Sequence, residues 1–136
     1  MELCILSRES AECHEPRGLE VCISISDPAA SPALLSPGFA DVLRLAFNDI
    51  QVLENPADVL FGADHASAIV EFVGRWSHAD RLVVHCNAGV SRSPGVALGL
   101  CDRSGWPAAQ LERGYPVWNR WVRQLLARYP DRDDGC

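Results

Sequence analysis

The stretch His85-Cys86-Asn87-Ala88-Gly89-Val90-Ser91-Arg92-Ser93 sets a thiol and a guanidinium at the two ends of a loop of small residues. The apolar run Leu82-Val83-Val84 leads into it, and Pro94 follows. A strand that turns through such a loop into a helix leaves backbone N–H groups pointing outward, and the helix dipole adds positive charge there. Gly89 supplies the dihedral freedom that a tight nest of amides needs. Asn87, Ala88, Gly89, Val90 and Ser91 would then line a cup for a multiply charged oxyanion. Arg92 at its edge could clamp two oxygens together. Cys86, at the floor of that cup, lies in the electropositive kind of setting that favours a thiolate. A thiolate beneath a bound phosphoryl group is placed for in-line attack on phosphorus. On this reading the arginine and the amides hold the group, and the cysteine takes it.

The surrounding elements must present that loop. Leu3–Ser7 reads as a short strand, and residues 8–18 as a polar loop with Pro16 and Gly18. Leu19–Ser26 alternates with period two, a strand signal. Residues 27–38 are rich in proline and serine and read as loop with one helical turn at most. Val42–Phe47 is a further strand, and 48–62 a long loop broken at Asn55-Pro56 and Gly62. Asp64 suits an N-cap, with Ile69, Val70, Phe72, Val73 and Trp76 at helical spacing over about 65–77. Leu82-Val83-Val84 suits a central strand buried on both sides. Ser93 can cap the next helix, with Pro94 at its first position and Gly105 at its left-handed end. Pro107 opens a short helix to about Arg113, and Trp118–Tyr129 forms the last, stopped by Pro130. The order predicts an α/β fold: a small, mostly parallel sheet of four or five strands flanked by helices, with residues 1–136 as one domain.

Composition narrows the function. The chain has 136 residues, 48% of them hydrophobic, and a net charge of −6. Residues 1–68 carry 3 arginines and 11 acids, residues 69–136 carry 9 and 7, and lysine is absent. An acidic chain without a basic stripe argues against a nucleic-acid partner. No run of 18 apolar residues occurs, so no membrane span is expected. The start, Met1-Glu2-Leu3-Cys4-Ile5-Leu6-Ser7-Arg8-Glu9, carries acids early and lacks a long apolar core, which argues against a signal peptide. Six cysteines occur without a Cys-x-x-Cys pair, so neither a zinc site nor a disulfide framework is expected, and a reducing cytoplasmic setting fits. Cys4, Cys13, Cys22, Cys101 and Cys136 read as ordinary thiols, and Trp76, Trp106, Trp118 and Trp121 as packing residues. No metal or organic cofactor is implied, and the sequence leaves the oligomeric state open.

The nine residues from His85 to Ser93 are similar to the signature HCxxGxxR(S/T) of the cysteine-dependent protein tyrosine phosphatases. Within that superfamily they resemble the dual-specificity phosphatases, whose loop often reads HCxAGVSRS. The segments Ile23–Pro28 and Leu43–Ile50, and "NRWVRQLL" at 119–126, resemble the small bacterial members. The likeness spans roughly residues 1–129 and is specific only in the loop. It implies hydrolysis of phosphomonoesters through a phosphocysteine, on phosphotyrosine first and on phosphoserine or phosphothreonine besides. A phosphorylated protein or peptide would be the partner. It also implies an aspartic acid, upstream of the cysteine, that protonates the departing oxygen, since a phenolate or alkoxide leaves poorly without a proton. Asp49 stands 37 residues before Cys86 and directly after a strand; Asp58 stands 28 before in the same loop. Both stay open for the acid, with Asp49 preferred. Asp64, at 22 before, is explained by capping. Ser93 reads equally as a helix cap and, as the resemblance implies, as a hydrogen-bond donor to the departing cysteine. His85 is implied as a brace for the loop. His65 beside Asp64 reads as the solvated start of a helix.

Two rival functions remain at this level. One keeps the chemistry and changes the substrate to a phosphoinositide or an RNA 5′-phosphate. The uncharged residues Asn87, Ala88, Val90 and Ser91 and the absence of lysine argue against it. The other is an inactive phosphatase that only holds phosphoprotein. Proteins of that kind commonly lack the cysteine, the arginine or the acid, and candidates for all three are present.

Overall fold

A computed structural model describes residues 1–130; Cys136 lies outside the described residues. The elements in order are β1 (Glu2–Leu6), α1 (Arg8–Cys13), β2 (Glu20–Ser26), β3 (Asp41–Ala46), α2 (Ala63–Arg75), β4 (Arg81–His85), α3 (Arg92–Ser104), α4 (Ala109–Gly114) and α5 (Arg120–Arg128). Among the described residues the sheet has four strands in the order β1-β4-β2-β3, and every pairing is parallel. All strand C-termini therefore meet at one edge, where the loop after β4 emerges. No helix among the described residues is long and apolar enough to cross a membrane.

The period-two alternation of β2 divides the interior. Val21, Ile23 and Ile25 face one side, with Leu82 and Val84 of β4 and Leu45 of β3. Against them pack Ala66, Ile69 and Phe72 of α2, Val96 and Leu100 of α3, and Val122 and Leu126 of α5. On the other side Cys22 and Val83 meet Phe39, with Cys4, Leu6, Leu35 and Val42 around them. That thinner layer is covered by the 27–40 segment. Trp76, Trp106 and Trp121 pack at the edge of the main core, as expected of them. Burial pushes the Cys22 thiol up to about 12 and raises those of Cys4 and Cys101, which keeps these three protonated.

Several boundaries differ from expectation for local reasons. The polar stretch after the first strand contains α1, begun by Ser7, whose side chain accepts from Ser10 N at 3.1 Å. Only Ala11 of this helix is buried, so it has no apolar stripe to betray it. Gly62, not Asp64, is the N-cap of α2. Asp64 lies in the first turn, and His65 Nδ1 accepts the Gly62 N–H at 2.9 Å. His65 is thereby a capping residue whose Nε2 donates to Ala46 O at 3.2 Å. The cap of α3 is Ser91 rather than Ser93, and Gly105 ends that helix at φ +73° as expected. The last helix begins at Arg120, because Asn119 caps it through Val122 N at 3.0 Å.

α3 lies directly on α5, and two glycines four apart make room. A Cβ on Gly95 would stand 2.8 Å from Asn119 O, and one on Gly99 2.9 Å from Leu126 Cβ. The contact draws the start of α5 to the start of α3. Gly74, near the end of α2, has nothing within 4 Å of such a Cβ. Gly95→Ala should therefore destabilise the protein, since the clash costs about 1–3 kcal/mol against a helix-propensity gain of about 1 kcal/mol. Gly74→Ala should stabilise it by about 0.5–1 kcal/mol. Urea midpoints of the two variants, moving in opposite directions, check the assignment.

Candidate active site

β4 ends at His85, and the chain from Cys86 to Ser91 curls at the C-terminal edge of the sheet before α3 begins at Arg92. Gly89 turns this loop at φ +75°. A Cβ there would stand 2.8 Å from Ser7 N and 2.9 Å from Leu6 O, so backbone packs on backbone. The N–H of Arg8 donates to Asn87 O at 3.0 Å, a second tie between the loop and the turn after β1. Cys86 is 2% exposed and forms the floor. Its Sγ accepts the Gly89 N–H at 3.3 Å and lies 3.2 Å from Ser93 Oγ. Ser93 thus points to the sulfur from inside the first turn of α3.

Arg92 is buried, and its Nη1 donates to Asp27 Oδ1 and to Phe47 O, each at 2.8 Å. Asp27 follows β2, and its Oδ2 accepts from Asn87 Nδ2 at 3.0 Å. Asp49 sits at the rim. Its Oδ1 accepts from Ser91 Oγ at 2.8 Å and from Asn119 Nδ2 at 2.9 Å. Asn119, 2% exposed, also donates to Ile50 O at 3.1 Å, and its N–H reaches Ser91 O at 3.0 Å. One side chain thereby joins the start of α5 to the Asp49 loop, while its backbone ties α5 to the cysteine loop. Asn48 closes the Asp49 loop at its base: its N–H donates to Val59 O at 2.8 Å and its Oδ1 accepts from Val59 N at 2.7 Å. Asp58 lies within that loop, but among the described residues no hydrogen bond joins its carboxylate to the residues from Cys86 to Arg92.

Behind the loop, the parallel register sets Arg44, Ser24 and His85 side by side on β3, β2 and β4. The carbonyl of Cys86 can only accept, so His85 Nδ1 donates to it at 3.2 Å. Nε2 of the neutral ring then accepts from Ser24 Oγ at 2.6 Å. Arg44 Nη1 approaches that hydroxyl at 3.5 Å and donates to Ala33 O at 3.1 Å. Burial is the main cause that holds the imidazole below the ordinary histidine value, against the opposing bond to Cys86 O.

Cys86, Arg92, Ser93 and Asp49 are thus gathered around one cup lined by the 87–91 backbone. Nothing in the local sequence assigns a role to Asp27 or Asn119, although each falls in a segment that resembles phosphatases, Ile23–Pro28 and 119–126. Among the described residues no group of three or more His, Cys, Asp or Glu side chains is arranged to hold a metal ion.

Solved structures share this architecture. The chain is similar to human DUSP28, with a TM-score of 0.61 and 23% identity over 93% of this chain and 90% of that one. A mouse dual specificity phosphatase in complex with zinc tungstate gives 0.59 and 23%, over 93% and 80% of the two chains. The human tyrosine phosphatase-like serine/threonine/tyrosine-interacting protein gives 0.54 and 21%, over 82% and 76%. The fold is that of the dual-specificity phosphatases, as expected. These human and mouse structures lend no support to the narrower likeness to small bacterial members. No family model and no curated protein sequence matches the chain.

The His85 bridge has a consequence for acid stability. A histidine kept neutral in the folded state binds fewer protons than it does unfolded, so its contribution is complete above about pH 6.5, the ordinary value, and is lost as pH falls toward the depressed folded value. Unfolding free energies of wild type and His85→Gln, measured by urea titration from pH 7.5 downward, should differ in slope below that point, the wild type falling more steeply. Equal slopes would contradict a neutral His85.

Proposed function

We propose that this chain hydrolyses phosphomonoesters through a phosphocysteine intermediate, with phosphotyrosine in proteins as the foremost substrate and phosphoserine or phosphothreonine open to the same chemistry. The observation that carries it is Cys86 Sγ on the cup floor, bonded to the Gly89 amide, with Arg92 at the edge and Asp49 at the rim. The thiolate of Cys86 attacks phosphorus, forming the S–P bond as the ester P–O bond breaks. The departing oxygen takes a proton from Asp49. In the second step a water gives its proton to the Asp49 carboxylate and its oxygen to phosphorus, and the S–P bond breaks. Ser93 Oγ, 3.2 Å from the sulfur, offers a hydrogen bond to the thiolate as it leaves. The loop amides and Arg92 hold the phosphoryl oxygens through both steps. The carboxylates of Asp27 and Asp49, both hydrogen-bonded to the loop, disfavour phosphoinositide or RNA substrates, whose further phosphates they would repel.

Cys86→Ser tests the nucleophile and separates catalysis from mere phosphoprotein binding. Turnover of an aryl phosphate should vanish, while tungstate, a tetrahedral oxyanion like the one in the mouse relative, should still bind. Equal rates in wild type and Cys86→Ser would overturn the thiolate mechanism. Asp49→Asn keeps an acceptor for Ser91 and Asn119 and removes the proton. It should lower kcat by roughly 10²–10⁴-fold and flatten the alkaline limb of the pH–rate profile, with a smaller effect on substrates of low leaving-group pKa. Asp58→Asn is the comparison; if it gives this pattern and Asp49→Asn does not, the acid lies further along the loop.

A further inference from the structure

A guanidinium carries five N–H donors in a rigid plane, two on each Nη and one on Nε. Both hydrogens of Arg92 Nη1 are occupied by protein, one by Asp27 Oδ1 and one by Phe47 O, each at 2.8 Å. The three hydrogens of Nε and Nη2 have no protein partner among the described residues. They are not sealed away either: Arg81 Nε is the buried side-chain polar atom that lacks a partner among the described residues. The Nε–Nη2 edge, the side-on face that grips two oxygens at once, is therefore the one left open. The second oxygen of Asp27 takes Asn87 Nδ2 at 3.0 Å. A single carboxylate thus holds the residue after the nucleophile and the arginine at the far end of the same loop. Its own backbone is restrained in turn: Pro28 follows it, which favours extended geometry, and Asp27 O accepts from Ala30 N at 3.0 Å.

We propose that Asp27 is a positioning residue of the phosphoryl site. By occupying Nη1 it turns the open edge of Arg92 toward the phosphoryl oxygens, and by holding Asn87 it keeps the loop in the matching shape. This rests on the hydrolase reading of the site. The arrangement also has an opposing effect, because a carboxylate beside the cup repels the incoming dianion. Asp27 thus trades affinity for the resting anion against alignment in the transition state.

Removal of the side chain should separate those two quantities. With an aryl phosphate, Asp27→Ala should lower kcat by about 10- to 100-fold, the scale of a small misplacement in an aligned site, while its dissociation constant for tungstate stays level or falls. Asp27→Asn retains an acceptor for Nη1, and the Asn87 amide can turn to face the new NH2, so this variant should recover most of the lost kcat. Far-UV circular dichroism establishes that both variants fold. A kcat for Asp27→Ala within about twofold of wild type, or an Asp27→Asn variant as impaired as the alanine, would overturn the proposal. A second readout does not need turnover. The Arg92 Nε–H resonance should be sharp in wild-type protein and shift with tungstate, and it should broaden into exchange in Asp27→Ala. An unchanged resonance in the variant overturns the positioning role. If wild type fails to hydrolyse any phosphomonoester, the functional reading falls and this resonance still decides the role of Asp27.

Discussion

The cup exists because Gly89 can lie on the backbone of Leu6 and Ser7 at a positive φ. No side chain could stand there, since its first carbon would sit within 3 Å of main-chain atoms. With that approach made, the loop is short enough for the Gly89 N–H to reach the sulfur of Cys86 and for α3 to begin at once after Ser91. Cys86 then stands at the start of a helix whose first turn supplies Arg92 and Ser93. β1 is an edge strand of only five residues, and its end is what the loop rests upon. A modest strand thereby governs the shape of the most demanding part of the molecule.

The two faces of the sheet share the work unequally. One carries almost all the apolar packing and anchors α2, α3 and α5. The other is thin, and a row of polar side chains crosses it from Arg44 through Ser24 to His85. Buried polar groups are tolerable when each has a partner, and here the register of three parallel strands provides them. The row ends on the carbonyl of Cys86, so the sheet's own hydrogen-bond alignment reaches the loop. The thick face locates the helix that follows the cysteine loop, and the thin face fixes the first peptide of that loop, between Cys86 and Asn87.

The cysteine loop was legible because its chemistry is local: a thiol, small residues and an arginine need only consecutive positions, and buried β4 announced itself as an apolar run. The alternation of β2 likewise showed which residues face which layer. Helix α1 was not legible, because it is six residues long with one buried side chain, and its cap Ser7 is a common residue in loops. Asp27 and Asn119 escaped for another reason. They act across 65 and 70 residues of chain, on Arg92 and Asp49, and nothing near them in sequence marks that purpose. Asp49 was reachable only through resemblance and its place after a strand. The caps of α2 and α3 each fell two residues before Asp64 and Ser93, at Gly62 and Ser91, since several residue types serve as caps and tertiary ties decide among neighbours.

The clasp between Asn48 and Val59 divides the segment after β3 into two parts with different histories open to them. Its base is held twice through one side chain and one backbone pair, beside the aspartate that Ser91 and Asn119 hold in place. Its tip, Val52 to Ala57, is exposed, beyond Gln51, whose Oε1 accepts from Arg120 N at 3.1 Å. Substitutions, insertions or deletions at the tip would be absorbed beyond the clasp, without moving Asp49. A lineage built on this scaffold could therefore exchange the exposed surface of this loop while inheriting the placement of Asp49 beside the cysteine loop unchanged, so that the rim drifts and the cup stays.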